Sequence, residues 1–79
     1  MAEAYILINV QAGKARYVYE ELSKIKEITH VDAIAGPFDI IATIKAPDFN
    51  TLGRIVIEKI QTISGVERTL TCTIIHFEQ

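Results

Sequence analysis

Apolar residues first alternate with a period of two, then recur at helical spacing, and this sequence of patterns repeats. The segment EAYILINV, residues 3–10, puts Ile6, Ile8 and Val10 on one face of an extended chain and Tyr5 and Leu7 on the other. A strand with two apolar faces is expected to be covered on both sides. After Gly13, Val18, Leu22 and Ile25 follow at helical spacing while Glu20, Lys24, Lys26 and Glu27 fill the rest of the wheel, which predicts an amphipathic helix over about 14–27. HVDAIAG (30–36) and FDIIATIKA (38–46) read as two strands of a hairpin turning at Gly36-Pro37, where Gly relaxes the backbone and Pro fixes φ. Asp48 is an N-cap candidate for a second helix with an apolar stripe of Phe49, Leu52, Val56, Ile60 and Ile63, ended by Gly65 as its C′ residue. VERTLTCTIIHF (66–77), rich in Thr, Ile and Val, reads as the last strand.

The predicted order is β-α-β-β-α-β, and an internal repeat supports two similar halves. KIKEITHVD (24–32) matches KIQTISGVE (59–67), so that Lys24, Ile25, Ile28 and Val31 answer Lys59, Ile60, Ile63 and Val66. Right-handed crossovers then put both helices on one face of a four-stranded antiparallel sheet, the α+β ferredoxin-like arrangement, in a single domain over residues 1–79. The other sheet face is left bare. An apolar area of that extent is rarely left in water, so the bare face is expected to meet another chain.

Composition points the same way. Hydrophobic residues make up 49% of the chain and charged residues 23%, a high apolar share for 79 residues. The formal charge is −2 with the basic residues scattered, which gives no electrostatic footprint for direct nucleic-acid binding. A lone cysteine, Cys72, excludes an internal disulfide and a multi-cysteine metal site, and reads as a core residue of the last strand. No basic-apolar leader opens the chain and no apolar run approaches about 18 residues, so no membrane partner and a cytoplasmic setting are expected.

Catalytic constellations are thin. His30 and His76 share no ligand spacing with Cys72, so neither a metal site nor a cofactor is expected. The third strand offers no aromatic platform for RNA, and NVQAGKARY lacks the Gly-rich anion loop of an acylphosphatase-like enzyme. Two polar features remain. Asp39 stands just past the Gly-Pro turn, where its carboxylate either caps turn amides or pairs with a ligand cation. Thr69, Thr71 and Thr73 share one face of the last strand, as ordinary β-branched residues or as hydroxyl donors to a carboxylate. Together they suit a zwitterion, but composition alone leaves both readings open.

AGPFDIIATIKAPD (35–48) followed by ISGVERTLTCTII (63–75) resembles the effector-responsive RAM domain of the Lrp/AsnC family of transcription regulators. The resemblance covers essentially the whole chain. Its Gly-x-x-Asp hairpin corresponds to Gly36, Phe38 and Asp39, and its Gly-Val-x-x-Thr-x-Thr run to Gly65, Val66, Thr69 and Thr71. Pro37 departs from the acidic residue common at that place. The family's regulators carry an N-terminal helix-turn-helix, and since this chain starts at the first strand it resembles the stand-alone members. The resemblance implies a non-enzymatic module that pairs sheet against sheet as a dimeric α+β barrel. Dimers would assemble into a ring such as an octamer and bind an amino-acid effector between dimers through Gly36, Phe38, Asp39, Thr69 and Thr71. It also implies association with a full-length regulator of the family. A small α+β-barrel enzyme of the monooxygenase or isomerase kind, and an ACT-like regulatory domain, are the competing readings.

Overall fold

Alternation along the first strand decides which way the whole sheet faces. In the computed structural model, which describes residues 1–77, strand β1 (Ala2–Val10) leads to helix α1 (Ala15–Ser23), then strands β2 (Ile28–Ala33) and β3 (Ile40–Ala46). Helix α2 (Phe49–Ile55) runs without a break into a π-helical stretch (Val56–Ile60) before strand β4 (Val66–Thr73). The last two positions of the expected domain lie outside the described residues. The sheet is four-stranded in the order β2-β3-β1-β4, and the pairs β1–β3, β1–β4 and β2–β3 are all antiparallel. This is the ferredoxin-like architecture expected from the pattern.

The core lies between the sheet and the two helices. Ala2, Ala4, Ile6 and Ile8 of β1 stand opposite Ala46, Ile44, Ala42 and Ile40 of β3, and all eight are buried. Directly opposed positions point to the same face of a sheet, and the Ala–Ile pairings leave room for helix side chains to interdigitate. Val18 and Leu22 of α1 and Leu52, Ile55, Val56 and Ile60 of the second helix fill that room. The π turn is closed by the Gln61 amide donating to the Val56 carbonyl at 2.8 Å, and its five-residue spacing brings Ile55 and Ile60 to the core together.

Several predicted boundaries move. Helix α1 stops at Ser23, because the amides of Lys24 and Ile25 bond three residues back to Glu21 and Leu22, so Ile25 reaches the core from a tightened turn. β2 spans Ile28–Ala33 where 30–36 is expected, and residues 34–39 form a six-residue loop closed by the Ile34 amide donating to the Asp39 carbonyl at 2.9 Å. Phe49, expected in the core stripe, is 58% exposed. It is the first residue of α2, where the helix has only just left β3. Gly65 does not cap the helix, which ends at Ile60. It instead adopts φ +99° in the turn into β4, where its carbonyl accepts the Gln11 amide at 2.8 Å. β4 ends at Thr73 because β1 has almost no residues left to pair, although the Ile74 amide still reaches the Glu3 carbonyl at 2.9 Å.

The repeat has a structural counterpart in the helix-to-strand junctions. The Ile28 amide donates to the Ile25 carbonyl and the Ile63 amide to the Ile60 carbonyl, each at 3.1 Å, 35 residues apart in both donor and acceptor. Lys59 of one half pairs with Glu27 of the other at 3.3 Å. Burial pushes the Glu27 carboxyl up, but hydrogen bonds from its own amide and from Lys59, with the charges of Lys59 and Lys26, together hold it below its ordinary value.

Candidate functional site

β3 begins at Ile40, so the last amide of β1 has no backbone carbonyl opposite it. The Asp39 side chain supplies the acceptor: Val10 N–H donates to Oδ2 at 2.8 Å. Its backbone is held as firmly, with the Asp39 amide donating to the Ile8 carbonyl at 2.9 Å. On the far side of β1 the register slips, since Asn9 pairs with Arg68 and Val10 with Val66, leaving Glu67 as the extra residue of a bulge. The half-buried aspartate therefore closes the ladder where β1 outruns β3. Its second oxygen, Oδ1, takes part in no hydrogen bond among the described residues and retains its acceptor capacity.

Register assigns the threonines to a side. Thr73, Thr71 and Thr69 pair with Ala4, Ile6 and Ile8, all core residues, so their side chains project on the helix side. The helices cover β1, β2 and β3 and reach little of β4, so Thr71 and Thr73 remain exposed as an open ledge. Thr69 is half-buried, and its hydroxyl accepts a hydrogen bond from Gln61 Nε2 at 2.9 Å. Gln61 closes the end of the second helix onto β4, a role without a sequence signal.

Ile8 joins the two halves of the candidate site, pairing with Ile40 on one side and Thr69 on the other. With strands about 4.8 Å apart, the backbones at Asp39 and Thr69 are roughly 10 Å from each other at the same end of the sheet. Thr71 lies one pleat farther along. Gly36 is exposed in the 34–39 loop without a positive φ, so the unusual dihedral expected there is not used, and Phe38 is half-buried. None of the five candidates lines either of two grooves that flank α1. One of these, about 330 Å³, lies between α1 and the end of β2 and is lined by Ala15, Arg16, Tyr19, Glu20 and Ala33.

The opposite sheet face is uncovered. Tyr5 and Leu7 of β1 pair with Cys72 and Leu70 of β4 and, toward β3, with Thr43 and Ile41. Tyr5 is 45% and Leu70 46% exposed. Cys72, expected in the core, is exposed on this face, because the pairing that turns the threonines toward the helices turns Cys72 away from them. His30 and Asp32 of β2, 3.0 Å apart, pair with Thr43 and Ile41 on the same side. The space between helices and sheet is wholly aliphatic, with no buried polar side chain among the described residues.

An open apolar sheet face beside a ladder-closing aspartate can be compared with known proteins. The family described as Lrp/AsnC ligand binding domain matches residues 3–77. The chain belongs to the Lrp/AsnC family. An uncharacterised helix-turn-helix-type transcriptional regulator of Pyrococcus abyssi is 37% identical over 71 residues, a stretch covering 86% of this chain and 47% of the relative. The helix-turn-helix-type transcriptional regulator FL11 of Pyrococcus horikoshii is 33% identical over 72 residues, 91% of this chain and 47% of that one. This Lrp/AsnC chain thus spans less than half the length of these relatives. Among solved structures, a Thermus thermophilus protein superposes with a TM-score of 0.92 at 25% identity, covering 100% of this chain and 99% of the other. A Neisseria meningitidis transcriptional regulator, solved as an L-Met complex, has a TM-score of 0.85 at 19% identity over 95% of this chain and 50% of its own, a likeness of fold. Among the described residues no helix is long and apolar enough to cross a membrane.

Proposed function

We propose that this chain is an oligomeric amino-acid-sensing module of the Lrp/AsnC type. The observation that carries the reading is the uncovered sheet face. Tyr5, Leu7, Ile41, Leu70 and Cys72 make a contiguous, largely apolar surface on an otherwise well-filled domain, and a second copy packed face to face removes it from water. The product is a dimeric α+β barrel, and dimers join further into a ring such as an octamer.

The effector reading rests on the end of the sheet where Asp39 and Thr69 flank β1, with Gly36, Phe38 and Thr71 beside them. One carboxylate oxygen of Asp39 is anchored by Val10 N–H, which orients the other toward a ligand ammonium. Threonine hydroxyls on the ledge donate to the ligand carboxylate. The site is open in one copy, where Gly36 and Thr71 are exposed and Phe38, Asp39 and Thr69 only half-buried, and a neighbouring dimer supplies the missing wall. The methionine held by the Neisseria relative supports a free amino acid as the ligand class. A ligand seated at such a boundary shifts assembly by its differential affinity for the joined and separate states, which is how the module signals to a full-length regulator of the family.

Titration calorimetry against the twenty amino acids, with native mass spectrometry of the same samples, tests the reading. It requires particles of dimer size or larger and a saturable heat with at least one amino acid. Asp39→Asn keeps an acceptor for Val10 N–H while removing the charge, and should weaken that binding at least tenfold with little change in Tm. Absence of heat with all twenty removes the sensor.

A further inference from the structure

The second helix carries an apolar stripe that the core does not use. Phe49, Gly53 and Ile57 follow at four-residue intervals, and Phe49 is 58% and Ile57 62% exposed. Residues four apart share a helix face. Between the two large side chains sits a glycine in the middle of a twelve-residue helical run, the residue that a helix interior tolerates least after proline. Nothing within the chain calls for it: its φ is not positive, and a Cβ added there would meet no atom within 4 Å. The helix accepts a poor residue to leave a bare stretch of backbone facing outward.

We infer that this stripe is a second self-contact, in which α2 of one copy packs antiparallel on α2 of another about a twofold axis at Gly53. The occupant follows from the spacing. An antiparallel pairing centred on Gly53 sets each residue at 53 − n against residue 53 + n of the second copy. Phe49 of each therefore covers Ile57 of the other, while the two glycines let the backbones approach at the crossing. The stripe is thus complementary to itself, and none of its three residues carries a charge to be desolvated.

Area decides what such a contact can do. Two side chains exposed to this extent offer on the order of 300 Å² per copy, well short of the ~800 Å² per partner of a stable interface. The stripe does not hold two single chains together. It joins dimers already formed through the sheet face, where each dimer presents two stripes and the contacts reinforce one another. Two different twofold contacts on one chain are what closed rings of dimers are built from. This inference rests on the sheet-face dimer proposed above, and it names the surface by which dimers meet.

Native mass spectrometry of three variants beside the unaltered chain tests it. Gly53→Gln, a good helix former whose side chain blocks the crossing, should stop assembly at the dimer with unchanged far-ultraviolet circular dichroism. Gly53→Ala, still small, should keep the larger species. Leu70→Glu, on the sheet face, should give single chains. Larger species that survive Gly53→Gln overturn the stripe and leave the sheet-face dimer intact, as does an unaltered chain that stops at the dimer. Dimers that survive Leu70→Glu but vanish with Gly53→Gln sink the sheet-face reading and, with it, the stripe as a contact between dimers. A monomeric unaltered chain sinks both.

Discussion

Asp39 carries a structural duty before any functional one. Replacing it with Ala leaves Val10 N–H without an acceptor where the ladder ends, and a part-buried donor left unpaired costs about 1–3 kcal/mol. Thermal melts should therefore separate the two variants: Asp39→Ala loses stability and ligand binding together, whereas Asp39→Asn loses mainly binding. Both roles proposed for this residue from its place in the sequence are compatible, since a carboxylate has two oxygens. Glu27 gives a second test at this scale. Its carboxyl is held below the ordinary value of 4.5 in the folded chain, with Lys59 among the causes. A folded-state value below the unfolded one means stability that is present above pH 4.5 and lost as the pH falls through the lower, folded value. Lys59→Met should therefore lower stability above pH 4.5, where Glu27 is ionised, leave the acid end nearly unchanged and so flatten the acid limb of a stability–pH curve, read by chemical denaturation at several pH values. Asp48, whose carboxylate accepts the Thr51 amide at 2.7 Å and is thereby held low, contributes in the same direction through the N-cap.

Among the elements, two glycines illustrate opposite requirements. Gly65 has φ +99° and approaches α1 so closely that a Cβ would lie 2.8 Å from Lys14 Cβ and 3.3 Å from Val18 Cγ2. Gly65→Ala should cost on the order of 1–3 kcal/mol from strain alone, measurable as a lower midpoint in urea. Gly53, with open space before it, should behave conversely, and Gly53→Ala should raise stability by up to about 1 kcal/mol through helix propensity, read as a higher midpoint in urea. Element identity was legible throughout the sequence because burial on one side imposes periods of two and of about four. Boundaries were less so. Helix α1 ends at Ser23 by a switch to three-residue bonds, for which ARYVYEELSKIKE carries no stop residue, and Ile25 keeps its core position without being helical. Phe49 fits the helical stripe on a wheel yet faces out, because a wheel does not record where the helix runs relative to the sheet beneath it. The π turn at Val56–Ile60 left no mark in the apolar pattern.

At the scale of the molecule, the proposed sheet-face dimer is tested in solution. Leu7→Glu places a charge at the centre of the uncovered face, between Ile41 and Leu70, without touching the helix-side core, and should yield folded single chains by sedimentation where the unaltered chain should give dimers or larger species. Random duplex DNA at low salt should not be retarded, since a net charge of −2 supplies few phosphate contacts. By itself the sequence determined the two βαβ halves, the aliphatic helix-side core and the existence of a second apolar face, because solvent exclusion writes its period directly into the order of residues. Which strand position looks which way on β4 was decided only in the folded chain. Whether Thr69, Thr71 and Thr73 or Leu70 and Cys72 lie toward the helices depends on register against Ile6 and Ile8, and a shift of one residue would exchange them. The anchoring of Asp39 on Val10 and the turning outward of Phe49 beside Gly53 likewise depend on residues far apart in the chain, whose meeting no local pattern encodes.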